Sequence, residues 1–385
     1  MPEGRMMVIL IISILLTAGY VTLMLLYRRG WAMQPSFTSG GLLEPQTKVS
    51  IIIPARNEEH NIATCVRSAL QQNYPPHLLE VIVVDDHSTD NTAAIVDAFS
   101  DVRVKCIRLA EHIVQDDKIV AFKKLGLSIG IAQSKGELIV TTDADCFAGP
   151  DWIKNIVTLY EQQHPVMIVA PVDFTADGSL VQTFQSIDFM SMQGITAAAH
   201  KLNMGNMSNG ANLAFSKEAY LHVDGYKGID HLASGDDYLL MMKLKQKFPT
   251  GIAYLKSQGA IVHTAPQPDW AGFLQQRIRW ASKSGKYDDK TLTSVLLMVY
   301  IFNFSFLVLL IAGFANSRYW LLAAAMVLVK TAAELVYLFP VARFFNKQRQ
   351  LRYYLFLQSL HILYIIAAGF LGFFGVYRWK GRKVK

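Results

Sequence analysis

The sequence predicts an α/β domain built on a mostly parallel sheet and flanked by transmembrane α-helices. Three observations predict it. Short, continuously apolar runs alternate with helical segments between residues 48 and 290, long apolar runs lie on either side, and polar clusters recur where the short runs end. Strands covered by helices on both faces read as unbroken Val/Ile/Leu runs rather than as alternation, and that is the pattern here.

Taken in order, Val49-Ser50-Ile51-Ile52-Ile53-Pro54 is a strand stopped by proline, and Asn57-Glu58-Glu59 opens a helix through Leu70. Val81–Val84 is the second strand, ending at Asp85-Asp86. His87-Ser88-Thr89-Asp90 then turns the chain into a helix, with Ser88 or Asp90 as its N-cap. A third strand is expected near Val102–Ile107, a helix over Ile119–Gln133, and a strand over Leu138–Thr142. The segment Thr141-Thr142-Asp143-Ala144-Asp145-Cys146 follows that last apolar run. If the chain stays extended, Asp143 and Asp145 share one face and can grip a single divalent cation. Mg²⁺ and Mn²⁺ suit such a site, because one or two carboxylates leave the other positions to phosphates and water.

The membrane segments come from the excess of apolar residues, 52% of 385. Residues 6–26 form an apolar stretch followed by Tyr27-Arg28-Arg29, and ~20 such residues cross a bilayer as a helix. No cleavage site follows, so an uncleaved anchor is expected. Residues 292–315, 319–342 and 355–377 repeat the signal, the middle one interrupted by Lys330, Glu334 and Pro340. Lys330 and Glu334, four apart, are placed to pair inside a bundle. The expected organisation is an anchor over 1–30, a linker over 31–47, a catalytic domain over 48–290 ending in an interfacial helix, about three membrane helices over 291–378, and a basic tail over 379–385.

The formal charge of +7 does not signal nucleic acid, because Arg28, Arg29, Arg343, Lys347, Arg349, Arg352 and the Arg378–Lys385 tail sit beside membrane segments. That is positive-inside anchoring. The expected location is integral to the cell (inner) membrane, with the domain cytoplasmic and membrane lipids as partners. Three full C-terminal crossings put the 343–352 loop inside and the tail outside; a middle segment that only dips in exchanges the two. Cys65, Cys106 and Cys146 show no metal spacing and are expected as free thiols.

Parallel sheets bind ligands beyond the carboxyl ends of their strands. Arg56-Asn57-Glu58, Asp85-Asp86 and Asp143-x-Asp145 all fall there, and together they point to a nucleotide. The chain has no Gly-x-x-x-x-Gly-Lys-Ser/Thr loop and no Gly-x-Gly-x-x-Gly after the first strand. Phosphates are then left to metal and basic side chains, Lys123 and Lys124 among them, although a solvated helix face explains those two lysines equally. His263, at a strand end, is a candidate third metal ligand or a packed histidine. Asn209-Gly210-Ala211-Asn212 offers amides to sugar hydroxyls or is a plain turn. Asp236-Asp237 is both a helix start that suits the dipole and a pair of candidate acids. Gln276, Arg279 and Trp280 fall on one helical face. The same helix also reads as interfacial, with Trp270, Phe273, Leu274, Ile278 and Trp280 among headgroups and Arg277 and Lys283 on lipid phosphates.

Read together, Val49–Glu58, Val83–Asp90, Asp143-Ala144-Asp145, Asn209–Asn212, Gly235-Asp236-Asp237 and Gln276–Trp280 resemble the family 2 glycosyltransferases, inverting enzymes of the GT-A fold. The segments run in the family's order over roughly 49–285. The resemblance implies a nucleotide-binding set of Pro54, Arg56, Glu58, Asp85, Asp86, Lys123 and Asp143, with Glu58 and Asp86 on uridine. It implies Asp143 and Asp145 at the metal and diphosphate. Asp237 matches the general base, with Asp236 where many relatives have Glu. Gln276, Arg279 and Trp280 match the Gln-x-x-Arg-Trp motif near diphosphate and acceptor, as found in membrane-bound polymerising synthases and some lipid glycosyltransferases.

The expected function is transfer of a sugar from a UDP-sugar, with Mg²⁺ or Mn²⁺, to a lipid, lipid-linked or saccharide acceptor. A processive polysaccharide synthase is the rival within the class; the motif favours it and the small number of C-terminal helices disfavours it. A scaffold that retains the fold without turnover, or a nucleotidyltransferase that releases pyrophosphate, are the rivals outside it.

Overall fold

The structure is a computed structural model that describes residues 2–40, 44–112, 121–176, 178–205, 207–232, 235–282, 289–374, 377–379 and 382–384. Of the positions singled out above, Ile119 and Lys283 lie outside the described residues. In chain order the helices are α1 (Pro2–Met33), α2 (Ile62–Leu70), α3 (Thr92–Asp97), α4 (Phe122–Gln133), α5 (Trp152–Gln163), α6 (Leu180–Leu202), α7 (Lys217–His222), α8 (Asp236–Lys247), α9 (Trp270–Ala281), α10 (Lys290–Ala312), α11 (Arg318–Phe344) and α12 (Tyr354–Phe374). The strands are β1 (Val49–Ala55), β2 (Leu79–Asp85), β3 (Val104–Arg108), β4 (Leu138–Thr141), β5 (Cys146–Ala148), β6 (Met167–Val169), β7 (Val172–Phe174), β8 (Leu213–Ser216), β9 (Ile252–Tyr254), β10 (Val262–Thr264), β11 (Tyr377–Trp379) and β12 (Arg382–Val384).

The chain divides into two compact units, one of residues 35–175 and 207–265, the other of 1–34, 176–206 and 266–385. This corrects the continuous 48–290 domain. Helices α6 and α9, assigned by sequence to the sheet domain, belong with the apolar helices.

The first unit holds a seven-stranded sheet in the order β3-β2-β1-β4-β8-β6-β9. The pairings from β3 to β4 are parallel, β8 is antiparallel to both β4 and β6, and β6–β9 is parallel. The central strands are buried along their length, as their apolar runs require. Val102, given to the third strand by sequence, is outside β3 and fully exposed. Helix α4 packs on β1 and β2 at a small residue. A Cβ on Gly130 would lie 2.9 Å from Ile52 Cγ2 and 3.0 Å from Val84 Cγ2, so glycine sets how closely α4 approaches the sheet. A small sheet, β5-β10-β7, completes the unit. Of the expected linker, residues 31–33 continue α1, while residues from Pro35 onward belong to this unit, with Phe37 N–H donating to Lys256 O at 2.8 Å.

Among the described residues of the second unit, four helices are long and apolar enough to cross a membrane, at Met6–Met33, Lys290–Ala312, Arg318–Phe344 and Gln348–Phe373. Helix α11 runs unbroken through Pro340. Within the unit α1 packs on α6 and α11, and α9 packs on α12. Lys330 and Glu334 pair at 2.7 Å, as their spacing predicts, and both are buried. At the C-terminal end β11 pairs antiparallel with β12.

Candidate active site

In the sheet, β1 continues into β2 and β3 on one side, while β4 lies on the other. The crevice between the ends of β1 and β4 is therefore the topological switch point where such folds bind ligands. Register places Ala55 beside Asp85 and Ile52 beside Thr141, so three of the acidic clusters leave adjacent strands.

The β1–α2 and β2–α3 loops clasp each other. Asn57 N–H donates to Ser88 Oγ (3.0 Å), Thr89 N–H to Asn57 Oδ1 (2.8 Å), Glu58 N–H to Thr92 Oγ1 (2.8 Å) and Glu59 N–H to Asp90 Oδ2 (3.0 Å). These bonds explain two departures from the sequence reading. Asn57 is left-handed (φ 52°), so α2 starts at Ile62 rather than at Asn57. The N-cap of α3 is Asn91 rather than Ser88 or Asp90: Ser88 Oγ accepts from Asn57 N–H, and Asp90 accepts from Thr92 N–H at 3.0 Å. Burial works against the Asp90 charge, but bonds from Thr92 and the Glu59 N–H hold its carboxyl below the usual range. Arg56 donates to Asp86 O at 2.7 Å, and Asp85 and Asp86 are buried.

After β4 the chain does not stay extended. Ala144-Asp145 form a turn closed by Cys146 N–H to Asp143 O at 3.1 Å, a correction to the shared-face argument. Asp143 is half-exposed and Asp145 exposed. Cys65 Sγ donates to Asp143 O at 3.5 Å. Burial pushes the Cys65 thiol well up, and the charges of Asp145, Asp143 and Glu58 push it further. Such a thiol is no nucleophile. All three cysteines are free.

Lys123, from the first turn of α4, reaches Asp143 Oδ1 at 2.8 Å and Asp236 Oδ2 at 3.1 Å. Burial lowers its pKa, but Asp143 and Asp236 outweigh that and hold the ammonium above its usual value. Gly235, at φ 81°, turns the chain into α8 and sets Asp236 and Asp237 in its first turn. Asp237 Oδ1 accepts from Tyr238 N–H (2.8 Å) and Oδ2 from Gly210 N–H (3.2 Å). A Cβ on Gly210 would lie 3.3 Å from Asp236 Oδ2, 3.5 Å from Lys123 Nζ and 3.7 Å from Asp237 Cβ. Gly210 thus sits where these groups meet, and Thr141 Oγ1 holds it by donating to Gly210 O at 3.0 Å. Asp143, Lys123, Asp236, Asp237 and Gly210 form one cluster.

His263, Asn212 and Lys124 have partners of their own. His263 stacks on Phe147 (5.4 Å, 28°) and faces Asp173 at 3.9 Å, and the β5–β10 pairing sets it opposite Phe147, two positions beyond Asp145. Among the described residues no group of three His, Cys, Asp or Glu side chains is placed to hold a metal. Asn212 is a structural residue. It is fully buried, donates to Pro171 O and Ala260 O at 2.7 Å each, and accepts from Trp152 Nε1 at 2.9 Å, which leaves nothing for an acceptor. Ala211 is buried beside it, its N–H held by Asn209 Oδ1 at 3.0 Å. Lys124 is likewise tied to carbonyls of Ile229 and Leu232 rather than solvated.

Gln276, Arg279 and Trp280 lie on α9 in the other unit. There the interfacial reading fails for Arg277, which is buried against Asp188 of α6. Sequence gave no sign of this partner, because Asp188 and Arg277 are 89 positions apart.

A divalent cation fits the turn after β4. Asp143 and Asp145 are two accessible carboxylates, a hard-oxygen donor set that leaves further positions to a diphosphate and water.

The parallel half-sheet with acids at its switch point defines a GT-A type protein. Comparison with known proteins gives the family: residues 138–369 match Glycosyl transferase family group 2, residues 50–220 match Glycosyl transferase family 2, and the chain belongs to the family 2 glycosyltransferases. Glycosyltransferase AglE of Haloferax volcanii is 27% identical over 191 residues, 49% of this chain and 58% of that protein. The undecaprenyl-phosphate 4-deoxy-4-formamido-L-arabinose transferase of Serratia proteamaculans is 30% identical over 131 residues, 32% of this chain and 37% of that protein. The matches thus span little more than half of the first relative and less of the second. The mannosyltransferase PcManGT from Pyrobaculum calidifontis, solved with GDP-Man and Mn²⁺, has a TM-score of 0.59 at 21% identity, covering 94% of this chain and 98% of that one; the two share a fold.

Proposed function

We propose that this protein is a membrane-anchored inverting glycosyltransferase that moves a sugar from a UDP-sugar to a lipid or lipid-linked acceptor. The carrying observation is the meeting of Asp143, Lys123, Asp236 and Asp237 about Gly210 beyond the switch point.

Asp85, Asp86 and Glu58 are acceptor-only groups when ionised and suit ribose hydroxyls and the uracil N–H. Asp143 and Asp145 would hold Mg²⁺ or Mn²⁺, which supplies positive charge to a leaving diphosphate. Lys123 adds a fixed cation beside Asp143, where charge builds on the bridging oxygen. Asp237, oriented by the N–H groups of Gly210 and Tyr238, takes the proton of the attacking hydroxyl, a role worth typically ~10²–10⁴ in rate. Attack opposite the leaving group inverts the anomeric carbon. Arg279, Gln276 and Trp280 are assigned to diphosphate and acceptor by the family motif alone.

The named activity of the Serratia relative on undecaprenyl-phosphate supports a lipid-linked acceptor. Basic residues beside the apolar helices support a catalytic unit on the cytoplasmic side of the cell membrane. The Gln276-x-x-Arg279-Trp280 motif favours processive synthesis as a second reading; four apolar helices favour single transfer.

Purified full-length protein, given host lipid extract, Mn²⁺ and a panel of UDP-sugars, is expected to release UDP and form one product of a single added mass. A ladder of products would replace single transfer by processive synthesis. Pyrophosphate as the product would replace transfer by nucleotidyl chemistry, and GDP release from a GDP-sugar alone would overturn the uridine assignment.

A further inference from the structure

We infer that Arg277, an unassigned position inside Gln276-x-x-Arg279-Trp280, is the positioning residue of that motif, and that Asp188 and Tyr364 set its orientation. Arg277 is 4% exposed. Its Nε and Nη2 donate to Asp188 Oδ2 at 2.9 and 2.7 Å, so the plane of the guanidinium is fixed against one carboxylate oxygen. The other oxygen of Asp188 accepts from the Tyr364 hydroxyl on α12.

Two of the three motif side chains depend on this fixed plane. Nη1 donates to Gln276 Oε1 at 2.7 Å, and the guanidinium carbon lies 4.3 Å from the centroid of the Trp280 ring. Phe273 is on the same cation at 4.7 Å. A planar, always-charged group with five donors can hold an amide, a carboxylate and an indole face at once; an ammonium cannot. Trp280 also lies 6.0 Å from the Phe189 ring of α6, one position beyond Asp188, so α6 supplies both the partner of Arg277 and a ring beside Trp280.

This arrangement is rooted in the apolar helices. His361 Nε2 stands 3.9 Å from Asp188 Oδ1, and its Nδ1 is 3.3 Å from Lys330 Nζ, which pairs with Glu334 and bonds Gln358 Oε1 at 2.7 Å. Arg277, Asp188, Lys330 and Glu334 carry charges that cancel. A buried, balanced set is poor at adding stability compared with an apolar core but good at specifying one arrangement. Here the arrangement specified is the face that α9 presents.

The functional half of this inference rests on the glycosyltransferase reading, so its test carries a readout independent of turnover. Full-length protein labelled with 5-fluorotryptophan gives a ¹⁹F resonance for each of six tryptophans, and Trp280→Phe assigns the one that matters. Arg277→Met and Arg277→Lys are expected to shift or broaden the Trp280 resonance while leaving that of Trp152 in place. The rate of UDP release should fall at least tenfold in both, with the KM of the UDP-sugar within about twofold; Lys should not rescue, because it keeps the charge and loses the plane. Arg277→Lys also covers the case in which Arg277→Met does not fold. An unmoved Trp280 resonance, or a moved one with normal turnover, overturns the proposal. Wild-type protein that turns over no UDP-sugar sinks the functional reading instead, and leaves the resonance to decide the positioning.

Discussion

Lys123 pairs with Asp236 at 3.1 Å, tying the first turn of α4 to the first turn of α8. The same ammonium holds Asp143, so one cation spans the acid at the turn after β4 and the acids at the start of α8. Lys123→Met is expected to lower turnover roughly 10²-fold, the scale for loss of one electrostatic contact in a closed site. The sign of its pH dependence follows from the raised pKa. A lysine whose folded pKa exceeds its unfolded value stabilises fully below the unfolded value, and the contribution is lost only as pH rises through the folded one. Lys123 therefore stays charged across the assay range, and wild-type and Lys123→Met proteins should show activity profiles of the same shape between about pH 6 and 9. A basic limb that disappears with Lys123 would contradict this.

Asp143→Asn and Asp145→Asn test the metal at the turn. Each keeps the shape of the side chain and removes a negative charge, so Mn²⁺ titrations with UDP present should show at least tenfold weaker binding in either variant. Isothermal calorimetry reads this without turnover. Equal Mn²⁺ affinity in wild-type and both variants would place the metal elsewhere.

Asp237→Asn retains an oxygen for the Gly210 N–H and loses the basic site. Turnover should fall by ~10²–10⁴ while UDP affinity changes only a few-fold. Asp236→Asn removes the charge that pairs with Lys123 instead, and is expected to weaken kcat less than Asp237→Asn. The reverse order would exchange the roles of the two aspartates.

The strands, the switch-point acids and the apolar helices were legible because each rests on a local pattern: an unbroken Val/Ile run, a carboxylate after it, a stretch long enough to span a bilayer. Asp143 and Asp237 were legible as a pair only through the order of motifs, since nothing local shows that Lys123 and Gly210 bring their neighbourhoods together. Sequence left alternatives open where long-range packing decides. Asn212 spends its amide on Pro171 and Ala260, Arg277 is buried on Asp188, and His263 stacks on Phe147. Each of these partners is far away in sequence, and periodicity does not report on them.

Lys330 and Glu334 provide the last test, within the apolar helices. Both are buried, they pair at 2.7 Å, and Glu334 also accepts from Gln358 Nε2 at 2.5 Å and from the Tyr20 hydroxyl. Removing one member leaves the other as a buried, uncompensated charge, which typically costs about 3–5 kcal/mol. Lys330→Met or Glu334→Leu alone should therefore lower the thermal midpoint of the protein in nanodiscs sharply. The double variant removes both charges together and should recover most of the loss, because an apolar pair of similar volume is tolerated where the ion pair stood. A double variant as unstable as the worse single one would mean that Tyr20 and Gln358 need the charges themselves, and that the network is indispensable to the packing of α1, α11 and α12.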